Sequence, residues 1–251
     1  MPDKIKTNDH EGQLASSVEE VKNLSKKLFK NNYQIELADG EAMCKETMYK
    51  IPEYITLCKN DSESGKKLPG RLVLSDAVIQ YKDAVCHVDY LECDSNKNVS
   101  VYLVKSATHV KELYINEVAY CKGVLKYAGF NHIRCYIIHI NSKYVRHGTI
   151  DIKELFAVRE VTAKVNKSLE SVMKLVDNIN KVAEIDNEPV CEIGIHCMTP
   201  HKCAYWKHCT EILPEPSVFD IAGISLMKKF EMYHDGIVSY EDVERSGCAT
   251  E

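Results

Sequence analysis

Several features are missing from this chain, and each absence narrows its class. No apolar run reaches the roughly 18 residues that a membrane span needs. The opening residues, MPDKIKTNDHEG, are polar and charged and lack the apolar stretch of a secretory leader. A cytoplasmic protein with no membrane partner is therefore expected. A surplus of positive charge is also missing: the formal net charge is −5, so the whole molecule has no general attraction to nucleic acid. Any such contact must come from local patches such as Lys26–Lys27, Lys30 and Lys66–Arg71. Tryptophan is nearly absent, with Trp206 the single copy, and no internal repeat is visible beyond a periodicity of cysteines.

Cysteine, by contrast, is abundant. Eleven cysteines in a reducing compartment do not make a disulfide framework, because thiols there stay reduced unless a metal or a redox reaction uses them. Four of them, Cys191, Cys197, Cys203 and Cys209, recur at intervals of six residues with His196, His201 and His208 interleaved. This ladder lies between Pro189 and the pair Pro214 and Pro216, and reads as a ligand set for a metal. Cys₄ suits both a [4Fe–4S] cluster and tetrahedral Zn²⁺. Zinc sites favour short Cys-x₂₋₄-Cys knuckles, which the ladder lacks. Cys86, Cys121 and Cys135 lie in apolar segments and read as small buried hydrophobes.

With 251 residues, 45% hydrophobic and 27% charged, the chain can bury a substantial core. Residues 15–30 carry Val18, Val21, Leu24, Leu28 and Phe29 near helical spacing, with Ser16 or Ser17 as N-cap. Residues 33–71 resist ordering: a strand-like or helical piece near 45–58 precedes a loop at 60–67 and the Pro69-Gly70 turn. Residues 72–80, 84–93 and 99–105 are β-rich runs separated by turn chemistry, which predicts an antiparallel meander. A helix is expected over 109–128, with Val110, Leu113, Val118, Cys121 and Leu125 inward and Gly129 just past its end. The almost continuously apolar 132–140 predicts a buried strand parallel to its predecessor. A long amphipathic helix fits 161–184, and short helices fit the segments from Phe219 to Phe230 and from Tyr240 to Val243. The predicted class is α/β with core order α-β-β-β-α-β, a mixed sheet flanked by helices. The expected domains are a core over 1–188, a Cys-rich segment over 189–212 and a helical appendage over 213–251.

An acidic residue in the second predicted strand and a lysine ending the third make a resemblance specific. So do the segments LSKKLF (24–29), CHVDYLE (86–92), VYLVKSATHVK (101–111), IIHINSKYVRHGTIDIKELF (137–156), IGIHCMTPHKCAYWKHC (193–209) and LPEPSVFDI (213–221). The chain resembles the PD-(D/E)XK nuclease superfamily, in its RecB-like branch with the CRISPR-associated iron–sulfur exonucleases. It is most similar to the N-terminal half of a group of largely uncharacterised bacterial proteins, which usually continue into a further domain. The resemblance implies a restriction-endonuclease-like core with a C-terminal Cys-rich clasp, in which one early and three late cysteines hold a [4Fe–4S] cluster. Cys197, Cys203 and Cys209 match the late three; Cys191, or alternatively Cys44, supplies the fourth thiolate.

Nuclease chemistry of this type holds Mg²⁺ or Mn²⁺ between two acids on adjacent strands, with a lysine two residues beyond the second acid to orient water and offset charge. The resemblance assigns the first acid, the metal ligand, to Asp89 and the lysine to Lys105. Leu103 stands where the second acid belongs. Strict alternation puts Leu103 on the same face as Lys105, so it cannot be excused as an outward residue. The glutamine and tyrosine of active relatives correspond to Glu117 and Cys121. Losing one preorganised electrostatic group costs about 2.7–4 kcal/mol of transition-state stabilisation. The expected function is therefore a pseudoenzyme scaffold that binds DNA or a partner protein or domain. Two alternatives stay open: an active Mg²⁺-dependent exonuclease in which Glu117 or Asp76 completes the site, and a zinc-stabilised interaction module. Tyr205, Trp206 and Lys207 are candidates for base stacking and phosphate contact.

Overall fold

The computed structural model describes residues 9–37, 39–64, 71–96, 98–199 and 201–247. The chain divides into two compact units, residues 1–180 and 181–251. The Cys-rich segment and the C-terminal helices thus share one unit. No helix among the described residues is long and apolar enough to cross a membrane.

The first unit is α/β. Its elements are α1 (Asp9–Ser25), β1 (Asn32–Gln34), α2 (Gly40–Ser64), β2 (Leu72–Tyr81), β3 (Ala84–Cys93), β4 (Asn98–Lys105), α3 (Glu112–Tyr127), β5 (Asn131–Ile140), α4 (Ile152–Leu155), β6 (Phe156–Glu160) and α5 (Thr162–Ala183), the last ending just beyond the unit boundary. The six strands lie in chain order in one mixed sheet. The expected meander is β2–β3–β4, both pairs antiparallel, and β5 runs parallel to β4 as expected of a strand reached through a helix. Gly129 takes φ +92°, the left-handed conformation that ends α3.

The sheet is covered on both faces. On one face α2, α3 and α5 pack Ile51, Ile55, Val118, Leu125 and Val165 against Leu74, Ile79, Val88, Val101, Leu103 and Ile137. On the other, α1 lays Val21 and Leu24 against Tyr90, Tyr102 and Val104, joined by Leu28 and Phe29 of the following turn and by Ile152 and Leu155 of α4.

Several expectations need correction. Helix α1 begins at Asp9, so Ser16 and Ser17 lie inside it rather than capping it. The ambiguous 45–58 piece belongs to the 25-residue α2, which carries Pro52 in its interior and runs through the start of the expected loop to Ser64. The rest of that loop, the Pro69-Gly70 turn and Lys66 lie outside the described residues. Strands β1 and β6 were not anticipated. Leu113, expected inward, is 68% exposed, and Ile115 takes the core position. Ile179 is likewise exposed, so only the first part of α5 serves this core.

The second unit is small and loop-rich, with α6 (Trp206–Thr210), α7 (Leu226–His234) and α8 (Tyr240–Ser246). Val218, Met232 and Val243 form its core. Two capping boxes organise it: Ser217 with Asp220, and Ser239 with Asp242, each pairing a serine hydroxyl and backbone N–H with a carboxylate three residues on. A bridge between Ser217 and Ser239 ties the two boxes together.

Candidate functional site

Asp89 and Asp76 owe their position to a paired irregularity in the sheet. Ser75 pairs with Tyr90 and Ala77 with Val88, which leaves Asp76 and Asp89 opposite one another and outside the ladder. Along β2 the core-facing side switches parity between Leu74 and Ala77, and along β3 between Val88 and Leu91. Each strand has therefore inserted one residue, and Asp76 sits at φ +57°, a conformation uncommon for a side-chain-bearing residue. Such bulges re-aim side chains and increase local twist.

The same point is a fork. The β3–β4 ladder stops at Tyr90 and Tyr102. Beyond it the N–H of Val104 donates to Asp89 Oδ2 at 2.7 Å, so a carboxylate replaces the missing strand partner. The other oxygen, Oδ1, lies 2.6 Å from Lys22 Nζ on α1. Asp89 is 6% exposed. Oδ1 has no other partner among the described residues, and its short contact with the Lys22 ammonium is a charge pair.

Lys22 is the group that sequence reasoning overlooked. Burial lowers its pKa, but the charge and hydrogen bond of Asp89, with the fields of Asp76 and Glu117, outweigh that and leave it raised. Its backbone carbonyl accepts from Ser25 Oγ at 2.7 Å, and Ser25 is 2.7 Å from the Tyr90 hydroxyl. Burial of Tyr90 pushes its phenol up to about 12, so this hydroxyl stays protonated. The available signal was the polar pair Lys22 and Ser25 interrupting the apolar stripe of α1.

Lys105 ends β4 and meets Glu117 of α3, its Nζ 2.6 Å from both carboxylate oxygens. Asp76 has His87 Nε2 at 3.7 Å and Lys26 Nζ at 3.9 Å. Asp76 and Glu117 thus add their fields to the contact of Asp89 with Lys22, and Lys105 is clamped by Glu117. Leu103 does share a face with Lys105, but it is 2% exposed and packed into the larger core. Cys121 is buried too, while the Glu117 side chain is 45% exposed, so the two do not present one surface. A hydrogen bond with Cys86, then burial, raises the Cys121 thiol, and burial raises that of Cys135 to about 12. These are inert core thiols.

A divalent cation does not fit the acids as they stand, since both Asp89 oxygens are engaged. Among the described residues no three His, Cys, Asp or Glu side chains close around a common point.

The cysteine ladder occupies the second unit. Cys197 is buried, Cys203 and Cys209 are half-buried and Cys191 is exposed. The N–H of Cys203 donates to the Cys197 carbonyl at 2.7 Å, and that of Trp206 to the Cys203 carbonyl at 3.1 Å. Partial burial, then the proximity of Cys197, Cys203 and Cys191, pushes the Cys209 thiol above its ordinary value. The other three ladder thiols therefore lie near enough to act on Cys209, a donor set suited to a soft metal or cluster in chemistry, though among the described residues not drawn together to ligand distances. Cys44 lies on α2 of the first unit. His208 Nε2 is 2.7 Å from Glu188 Oε1, and that hydrogen bond raises its pKa. Trp206 stacks edge-on against Phe219 at 5.1 Å, so this ring is used in packing, while Tyr205 remains 70% exposed.

Comparison with protein-family models, curated proteins and solved structures finds no match.

Proposed function

We propose that this chain is a RecB-like PD-(D/E)XK nuclease-fold protein whose cleavage site is closed by a lysine, and that it serves as a DNA-binding scaffold carrying a four-cysteine cluster. One observation carries the reading: Lys22 Nζ stands 2.6 Å from Asp89, and Leu103 fills the core where a second acid belongs. The order of three antiparallel strands, a helix and a parallel strand supports the fold assignment.

Binding is favoured by the loops that leave the C-terminal ends of β4 and β5, where open α/β sheets present their ligand crevices. These loops expose His109, Lys111, Lys143, Arg146 and His147, none with an ion-pair partner among the described residues. They sit at the same end of the sheet as Lys105, so a strand bound there passes over the Asp89 fork. Cys191, Cys197, Cys203 and Cys209 would hold the [4Fe–4S] cluster, or Zn²⁺ in its place. Such a group, when bound, staples loop-rich backbone through thiolate bonds.

A second reading rests on Asp76, whose strained backbone places it opposite Asp89. In that reading Asp76 supplies the missing acid and Lys22 is displaced by a divalent cation.

The test is anaerobic purification followed by iron, sulfide and zinc analysis, with fluorescence anisotropy on single-stranded DNA. Bound iron with sulfide, and DNA affinity that falls at least tenfold in Lys143→Glu/Arg146→Glu, support the scaffold. A colourless protein holding one zinc and no DNA affinity refutes it in favour of an interaction module.

A further inference from the structure

A second cleft, of about 630 Å³, opens at the N-terminal ends of β4 and β5, the opposite end of those strands from Asp89 and Lys105. Its volume lies within the range of small-molecule sites. Charges of both signs line it, and their bonding separates them. The two acids are engaged. Glu92 accepts from Arg71 at 3.1 Å and from the Tyr102 hydroxyl at 2.9 Å. Asp94 accepts from the N–H groups of Asn96 and Asn98 at 2.8 and 2.9 Å and from Asn98 Nδ2 at 2.8 Å.

Apart from Arg71, which pairs with Glu92, the cations are not neutralised in the same way. Lys122 Nζ donates to the Ile133 carbonyl at 3.0 Å and to Asn166 Oδ1 at 2.7 Å, both uncharged acceptors, so the ammonium is held in place with its charge uncompensated. Lys126 and Arg134, both exposed, have no ion-pair partner among the described residues. Thr162, the first residue of the 22-residue α5, also lines the cleft, its hydroxyl donating to Glu160 Oε1 and accepting from the Cys135 N–H, both at 3.0 Å. His132, a further lining residue, sits at φ +52°. Strained residues of this kind cluster at functional sites. Val99, Ile133 and Leu169 add an apolar wall.

We infer that this cleft binds a small phosphorylated ligand of mononucleotide size, its phosphate ester held among Lys122, Lys126 and Arg134. A fixed ammonium and two exposed cations make a phosphate cradle, and the apolar wall takes the uncharged remainder of the ligand. The assignment is independent of the proposed scaffold function, because it involves neither the Asp89 fork nor the cysteines.

Isothermal titration calorimetry on the full chain tests it, with adenosine 5′-monophosphate, inorganic phosphate and a 5′-phosphorylated oligonucleotide as separate titrants. Saturable binding of the mononucleotide is expected, weakening as salt is raised. The loss is expected to be at least tenfold in Lys126→Glu/Arg134→Glu and negligible in Lys82→Glu, at the β2–β3 turn. Binding that persists in the double variant, or no binding of either small titrant, overturns the inference. Binding of the oligonucleotide alone also overturns it, by making the cleft a strand-contact surface.

Discussion

Replacing Lys22 by methionine keeps most of the side chain's volume and removes the charge that faces Asp89. Removing one partner of a fully buried pair costs about 3–5 kcal/mol, because the remaining charge is stranded. An exposed pair is worth only about 0–1 kcal/mol. The Asp89 side chain is 8% exposed and that of Lys22 37%, so water takes over part of the task, and the Val104 N–H still holds Oδ2. A cost of about 2 kcal/mol is expected, between those limits. For a chain of this size that is a fall in Tm of about 4–8 °C. Asp89→Asn keeps an oxygen for the Val104 N–H but carries no charge. In that background Lys22→Met should cost far less, with a coupling above about 1 kcal/mol in a urea-denaturation cycle. The raised pKa of Lys22 gives the contribution a direction in pH. It is fully present below the ordinary lysine value of 10.5 and disappears as pH rises through the higher folded value. The difference between wild type and Lys22→Met should thus be flat through neutral pH and shrink only above 10.5. Additivity within about 0.5 kcal/mol would refute the pair.

Other substitutions separate the two units and the two kinds of cysteine. Leu103→Asp should cost about 3 kcal/mol or more by thermal melting, since it puts an unpaired carboxylate into the larger core; an unchanged Tm would show that the site is not packed as described. Ser239→Ala removes a capping-box hydroxyl and should cost about 0.5–2 kcal/mol. Asp242 is held below its ordinary value by the Ser239 N–H and hydroxyl. The box should therefore weaken in acid, as pH falls through that depressed value, and a melting series below pH 4 reads this out. Cys209→Ser should lower bound iron or zinc, whereas Cys121→Ser should leave metal content unchanged and reduce stability, because its thiol is buried beside Cys86.

The parts of this molecule that could be read in advance are those encoded by local pattern. Three runs of β-rich residues with turn chemistry between them became β2, β3 and β4. The apolar 132–140 became β5. The rest depends on long-range geometry or broken pattern. Strand β1 is three residues long and exists because Asn32, Tyr33 and Gln34 pair with β2. Pro52 inside α2 obscured a helix of 25 residues, since proline ordinarily ends one. Strict alternation failed at Asp76 and Asp89, where each strand inserts a residue; Asp76 is a candidate from its place on the neighbouring strand, but the paired bulge that sets it opposite Asp89 is not legible in the pattern. Lys22 interrupts the apolar stripe of an amphipathic helix, and only the packing of α1 on the sheet brings it to Asp89.

The most direct measurement of the central claim is cleavage of end-labelled single-stranded DNA by the anaerobically purified protein in Mg²⁺ or Mn²⁺. Wild type and the Asp89→Ala and Lys105→Ala variants are compared at equal DNA occupancy. A fork closed by Lys22 and lacking an acid at Leu103 should give wild-type cleavage no greater than that of the variants. Metal-dependent cleavage by the wild type that Asp89→Ala abolishes would contradict the account.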